Sequence, residues 1–441
     1  MKKLHILFVI VSLFFACEKL PIPDSNLASG NPHYQVAFLD SKSVDDIRVK
    51  DEEGSLKDTE IKVRIANPMD KDTYYRVSID ETLLAKFNQE NGVDYQNLPK
   101  ENFEMSYTDI NKVTKVGSSF EVLIPKGKIV SAGKLSIKIK SMKNAQGAIL
   151  PVFNVYALSV KMEPKDSKTI AQADKKNSLF VIRRSFVTPV AHWSPSDAFH
   201  AIYGKDTGKQ EAGKEKLYDD IEINEWTLQY SFALTRLKDN WGLMYENPRH
   251  HTRSTLWNTV QSDGKFLLRY GAAATLNFNT AKGKNFKFEA AGTNPTAEKW
   301  YHVAMTYKTI DGRPFLKMYI NGELMFDSPS PLIVKQFPLV CFGNGATEGY
   351  VRELRFWSKA LTQGQVIAYQ YSVKTDTDGL ELYVPFNEIP YEEVEEDGKI
   401  VRVIKNASTN PNKKYPEKWY INHNGSKYRF PNVDFNTKVE F

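Results

Sequence analysis

Three carboxylates, Asp220, Glu222 and Glu225, fall in the segment DIEINE, and two carboxyl groups held about 5 Å apart are what retaining glycoside hydrolysis needs. The spacing argues against that chemistry. Asp220 and Glu225 are five residues apart and face opposite sides of a regular strand unless a bulge brings them together, so a solvated strand edge accounts for them better. GKDTGK at Gly204 lacks the spacing and the Ser or Thr of a phosphate loop, and no HExxH or GxSxG occurs. His250 and His251 are adjacent and diverge on a strand, which suits a solvent-facing pair rather than a shared metal. Asp239, Asn240 and Asp263 are oxygen donors near expected turns and are weak candidates for structural calcium; no other cofactor is expected.

Aromatic residues carry more information than the acids. In RSTLWNTV, Leu256 and Val260 fall on one strand face while Arg253, Thr255, Trp257 and Thr259 fall on the other, polar one. An indole beside Arg and Thr on a solvated face suits stacking against an apolar ring face whose rim groups need hydrogen-bond donors. Trp241, Tyr245, Arg249 and His250, in NWGLMYENPRHH, are placed to flank the same surface, and Trp193 is a further candidate on an expected loop.

The elements that must position these residues are strands. His302, Ala304 and Thr306 alternate with Val303, Met305 and Tyr307, Asp311-Gly312 supplies a turn, and Asn321-Gly322 closes the next hairpin. WYHVAMTY followed by LKMYINGEL, together with GYVRELRFWSKALT from Gly349 and LELYVPFNE from Leu380, resembles the laminin G-like, concanavalin A-like jelly roll. The resemblance runs over residues 177–441 and implies core positions for Trp226, Trp300 and Trp357. The same fold carries lectins, adhesion modules and hydrolases. Laminarinase-type hydrolases on it use a Glu nucleophile and a Glu acid/base with an Asp between, whereas DIEINE leads with Asp and has Glu in the middle.

The start of the chain concerns location. Lys2 and Lys3 precede an apolar run from Ile6 to Ala16 that ends at Cys17, a pattern for a lipoprotein signal peptide over residues 1–16 with acylation of Cys17. Residues 17–30 read as a flexible tether, able to hold the first domain roughly 50 Å from a membrane. Glu18 after the cysteine resembles the tethers that Bacteroidota-type bacteria use for surface lipoproteins.

Residues 31–162 show period-2 strands in IKVRIA, YYRVSID, SFEVLIP and KLSIKIK, with a short helix at ETLLAKFNQENG ended by Gly92. This segment resembles the immunoglobulin-like N-terminal domain of unknown function in Bacteroidota glycan-utilisation lipoproteins. The polar stretch at 163–176 reads as an interdomain linker. A net charge of +6, evenly spread, excludes nucleic acid as a partner, and the cysteines Cys17 and Cys341 leave no intramolecular disulfide once Cys17 is acylated.

The sequence therefore leads to an all-β protein, an N-terminal immunoglobulin-like β-sandwich followed by a concanavalin A-like jelly roll. The resemblances imply a non-catalytic, surface-exposed outer-membrane lipoprotein that captures a polysaccharide or glycoprotein glycan beside an importer or hydrolase of the same system. The alternatives are a protein-binding adhesion module and a divergent retaining glycoside hydrolase.

Overall fold

A computed structural model describes residues 35–41, 44–50, 58–151, 154–166, 169–194, 199–203, 224–237, 244–246, 256–270, 274–277, 286–329, 339–342, 348–415, 418–421 and 433–441. The described residues are nearly all β. In the first domain the alternation buries every second side chain, as with Tyr75 and Val77 in Thr73–Ile79 and Val122 and Ile124 in Ser119–Ile124. Its largest sheet runs in the order Val44–Val49, Asn177–Arg184, Tyr156–Pro164, Thr73–Ile79, Ser119–Ile124, with Gln96–Asn97 also pairing to Tyr156–Pro164. A second sheet runs Asp58–Ile61, Lys134–Ile139, Phe103–Thr108, Thr114–Val116. One apolar cluster joins the two, with Tyr75, Val77, Val160 and Met162 from the first and Ile61, Met105 and Ile137 from the second.

Helix α1 (Thr82–Asn91) interrupts the strands where expected and ends at Gly92, whose left-handed backbone (φ 63°) costs glycine little. The expected linker at 163–176 is corrected. Tyr156–Pro164 extends into it, Thr169–Ala171 pairs in parallel with Gln35–Leu39, and Asn177–Arg184 lies between two strands of the first domain's main sheet. The first domain therefore continues through Arg184, and the jelly roll begins after it.

The jelly roll stacks two sheets. One runs Ala191–Trp193, Gly349–Trp357, Glu225–Leu234, Tyr301–Ile310, Arg313–Ile320, Glu323–Pro329, with Leu380–Val384 on the other flank of Gly349–Trp357. The other is nine-stranded and includes Met244–Glu246, Leu256–Val260, Phe266–Tyr270, Leu339–Phe342 and Trp419–Ile421. Both anticipated hairpin turns form, with Asp311, Gly312, Asn321 and Gly322 all at positive φ. Between the sheets lies the main core, containing Trp226, Tyr230, Phe232, Val303, Met305, Tyr307 and Trp419. Trp226 is stacked on Tyr307 with centroids 5.4 Å apart.

The opposite face of the first of these sheets is buried as well. Thr227, Gln229, Ser231, His302, Ala304 and Thr306 alternate with the core residues yet are at most 5% exposed. Helix α2 (Gln363–Ala368) covers part of this face through Val366, which joins a cluster with Ala304, Tyr319, Trp357 and Leu380. Thr362 and Gln365 form a reciprocal capping box at the start of α2.

The first domain packs against α2. The Thr362 hydroxyl donates to the Asn91 carbonyl (2.6 Å), and Ala368 joins an apolar cluster with Leu84, Tyr95 and Val181. Arg183 donates from Nη2 to the Ile367 carbonyl (3.0 Å) and from Nη1 to the Ala368 carbonyl (3.3 Å). A guanidinium there adds donors to the last carbonyls of the helix and opposes its negative dipole.

Candidate functional site

The buried polar face is organised around a β-bulge. Pairing between Glu225–Leu234 and Gly349–Trp357 shifts register between Gln229 and Ser231, and Glu353, in the bulge, takes a φ of 60°. Its carboxylate accepts from Arg352 Nη2 (3.0 Å), from Arg355 Nη2 and from the Tyr383 hydroxyl (3.0 Å). Burial lowers both guanidinia to about 10, which leaves them charged at neutral pH. Two buried cations thus share one carboxylate.

The neighbouring network fixes the state of His302. Trp357 Nε1 donates to Gln229 Oε1 (2.8 Å), so the Gln229 amide nitrogen is the atom that faces His302 Nε2 at 3.4 Å. That nitrogen can only donate, which assigns the imidazole proton to Nδ1. Burial, reinforced by Arg355 and Arg352, pushes the His302 pKa down to about 3, so the ring is neutral across the physiological range. Among the described residues Nδ1 has no hydrogen-bond partner.

Along this face Arg352, Ser231 and His302 occupy one rung across three neighbouring strands. Asn321, at the hairpin turn, accepts from the His302 backbone N–H (2.8 Å). They line a cavity of about 480 Å³ that opens between the domains, walled by Trp300, Tyr371 and Phe441 and by Arg48 of the first domain. The Arg48 guanidinium lies 4.3 Å from the Tyr371 ring centroid, and Arg352 lies 4.1 Å from that of Phe441, which fixes both cations beside aromatic faces. Arg352 makes both of its side-chain hydrogen bonds among the described residues through Nη2, to Glu353 and to the Tyr371 carbonyl (2.9 Å). Trp300 Nε1 has no acceptor among the described residues. Glu298 is the one carboxylate side chain among the lining residues and is solvent-exposed, with its pKa lowered by the Thr296 side chain, its own backbone N–H and Arg48.

The structure redistributes the residues singled out in the sequence. Trp193 is corrected: it ends the strand Ala191–Trp193, is 1% exposed and belongs to the main core, so it offers no loop surface to a ligand. Trp257 and Tyr245 are direct cross-strand partners, and Trp257 also pairs with Arg269. Those two strands are therefore neighbours, as a shared surface requires. Trp241, Arg249, His250, Arg253, Asp239, Asn240, Asp220 and Glu222 lie outside the described residues, as does Cys17. Asp263 sits in a turn where its carboxylate accepts from the Lys265 backbone N–H (3.1 Å) and pairs with the Lys265 ammonium. Glu225 opens its strand and pairs with Lys308 across the sheet edge (3.5 Å). Trp226, Trp300 and Trp357 are buried, Trp300 at the cleft wall rather than between the sheets.

The sequence reasoning missed Arg48, Ser231, His302, Asn321, Arg352 and Tyr371. A signal was present in Gln229, Ser231 and His302, polar residues recurring at alternate positions in strands that are otherwise strongly apolar.

With the geometry in view, residues 243–367 match the family model of the concanavalin A-like lectin/glucanases superfamily, of laminin G type. That stretch lies within the second domain. A family model for an N-terminal domain matches residues 30–169. Among curated proteins none matches the chain. Similar solved structures include a Bacteroides ovatus protein provisionally named a carbohydrate-binding protein, at 16% identity over 88% of this chain and 95% of its own, with a TM-score of 0.38. A carbohydrate-binding module of a Ruminococcus gnavus sialidase, bound to sialyllactose, matches at 14% identity over 42% of this chain and 98% of its own, with a TM-score of 0.27. A Bacteroides thetaiotamicron endoglycosidase with a glycan product matches at 17% identity over 32% of this chain and 28% of its own, with a TM-score of 0.22.

Proposed function

We propose that this chain is a non-catalytic glycan-binding lipoprotein, anchored in the outer membrane through Cys17 and exposed at the cell surface. The observation that carries the binding role is the cleft between the domains, where the aromatic side chains of Trp300, Tyr371 and Phe441 meet the polar groups of Arg48, Asn321 and Arg352. Sugars need this combination, because their C–H faces are apolar while each hydroxyl requires a partner. The match to the lectin/glucanase superfamily within the second domain supports the same ligand class.

Hydrolysis is disfavoured by the cleft's chemistry. Glycoside cleavage uses a pair of carboxyl side chains, and Glu298 stands as the single one among the described lining residues. Glu353 is committed to two guanidinia and a tyrosine behind the cleft wall. A tethered, non-catalytic binder raises the local glycan concentration for an importer or hydrolase of the same system, so weak single-site affinity suffices. No described helix is long and apolar enough to cross a membrane. The test is a glycan array with the soluble chain beginning at Glu18. Binding to one glycan class without release of reducing ends is the expected result. Binding to a host protein and to no glycan would replace this reading with adhesion, and release of reducing ends would replace it with hydrolysis.

A further inference from the structure

The cleft is lined by two guanidinia and, among its described side chains, one carboxylate. His302 and Trp300 stand in its wall, but His302 Nδ1 and the Trp300 indole N–H are themselves closed to solvent and have no acceptor among the described residues, so they add positive polarity behind the surface rather than contacts. Arg352, 3% exposed, spends Nη2 on Glu353 and Tyr371, which leaves Nε and Nη1 without an acceptor among the described residues. Arg48 brings a second positive charge from the first domain, where it is exposed and stacked on Tyr371. Against these stands the carboxylate of Glu298, out in solvent at the rim. A ligand that supplies several acceptor lone pairs at once can engage the Arg352 donors that the protein leaves open. A neutral hydroxyl supplies an acceptor but adds a donor that must itself be satisfied. A carboxylate supplies only acceptors and complements the excess positive charge.

We propose that the cleft binds the carboxylate of an acidic sugar, a uronic or sialic acid residue, between Arg48 and Arg352, with the aromatic walls against the sugar ring. This rests on the glycan-binding reading and narrows it to one ligand chemistry. Arg352 makes the site specific, since its guanidinium is held by Glu353 and the Tyr371 carbonyl and loses little freedom when a ligand arrives. Arg48, on a surface strand edge, supplies long-range attraction and closes the cleft from the other domain.

The experiment is titration calorimetry of the full chain with galacturonate and N-acetylneuraminate, each beside its methyl ester, which keeps the ring and removes the charge. The acids are expected to bind at least about tenfold more tightly than their esters, and the preference should shrink in about 0.5 M salt. Arg48→Gln should reduce the preference severalfold while changing the melting temperature little, because Arg48 is exposed. Arg352→Gln should abolish acid binding, and Arg48→Gln keeps the proposal testable if that variant unfolds. Equal binding of acid and ester overturns the proposal, as does a preference that Arg48→Gln leaves undiminished. Binding of neutral sugars without any preference for acids leaves the glycan reading standing and sinks the anionic subsite. Failure to bind any sugar, charged or neutral, sinks both.

Discussion

Acidification should destabilise the jelly roll through His302, and the size of the effect follows from its surroundings. Burial first, then Arg355 and Arg352, hold the folded pKa at about 3, against 6.5 in the unfolded chain. Above pH 6.5 the ring is neutral in both states and the term vanishes. Between pH 6.5 and about 3 the unfolded chain takes up a proton that the native state refuses, so stability is lost as pH falls, by about 1.4 kcal/mol per pH unit. At pH 5 this amounts to about 2 kcal/mol relative to pH 7. Carboxylates titrate in the same range, so the effect is isolated by comparison with His302→Gln, whose side-chain oxygen can accept from Gln229 in place of Nε2 but does not titrate. All seven tryptophans lie from Trp193 onward, so indole fluorescence follows this domain alone during urea unfolding. The wild type should lose about 2 kcal/mol more than His302→Gln between pH 7 and pH 5. Any fixed cost of the substitution cancels in that difference. Equal losses in the two proteins would refute both the neutral ring and the network that assigns its proton.

Glu353→Gln removes the charge shared by Arg352 and Arg355 and should cost about 3 to 5 kcal/mol, lowering the melting temperature by roughly 6 to 20 °C. A shift under about 2 °C would show that water or another anion already compensates the two guanidinia. Cys17→Ala should abolish lipid labelling and release the protein from the outer-membrane fraction; unchanged fractionation would remove the anchor from the proposed function. Trp257→Ala should weaken glycan binding with little change in melting if its strand presents a second platform, whereas Trp226→Ala, emptying a site in the core beside Tyr307, should cost about 3 to 5 kcal/mol. Should Trp257→Ala melt as low as Trp226→Ala, the platform is withdrawn and the interdomain cleft remains.

Local chemistry made some features legible in the sequence. Asn321-Gly322 and Asp311-Gly312 adopt the positive φ values that their residue types favour, and Gly92 ends α1 for the same reason. Features that depend on remote pairing were misread. The stretch 163–176 has the composition of a linker, yet Thr169–Ala171 is held by Gln35–Leu39, more than a hundred residues away in sequence. NSLFVIRR has a near-continuous apolar centre because both faces of Asn177–Arg184 are covered, which marks it as a central strand of the first domain rather than the opening strand of the second. In AHWSPSD the serines and proline suggested a loop for Trp193, but a strand of three residues on the flank of Gly349–Trp357 is enough to bury it.

The candidate site was illegible for a related reason. Alternation in Tyr301–Ile310 separates a core face from a polar face, and the ordinary rule for an antiparallel sheet sends the polar face to water. Here that face is covered by α2 and by the docking of the first domain, which turns Gln229, Ser231 and His302 from surface residues into an enclosed polar array. The cleft draws on positions 48, 231, 300, 302, 321, 352 and 371, a set with no spacing that a motif could capture. Its two cations also come from different domains: Arg352 is fixed within the jelly roll by Glu353, and Arg48 reaches Tyr371 only because α1 and Arg183 hold the first domain against α2. Either domain alone would carry half of the charge and one wall of the cavity, so the recognition proposed for this chain is a property of the docked pair.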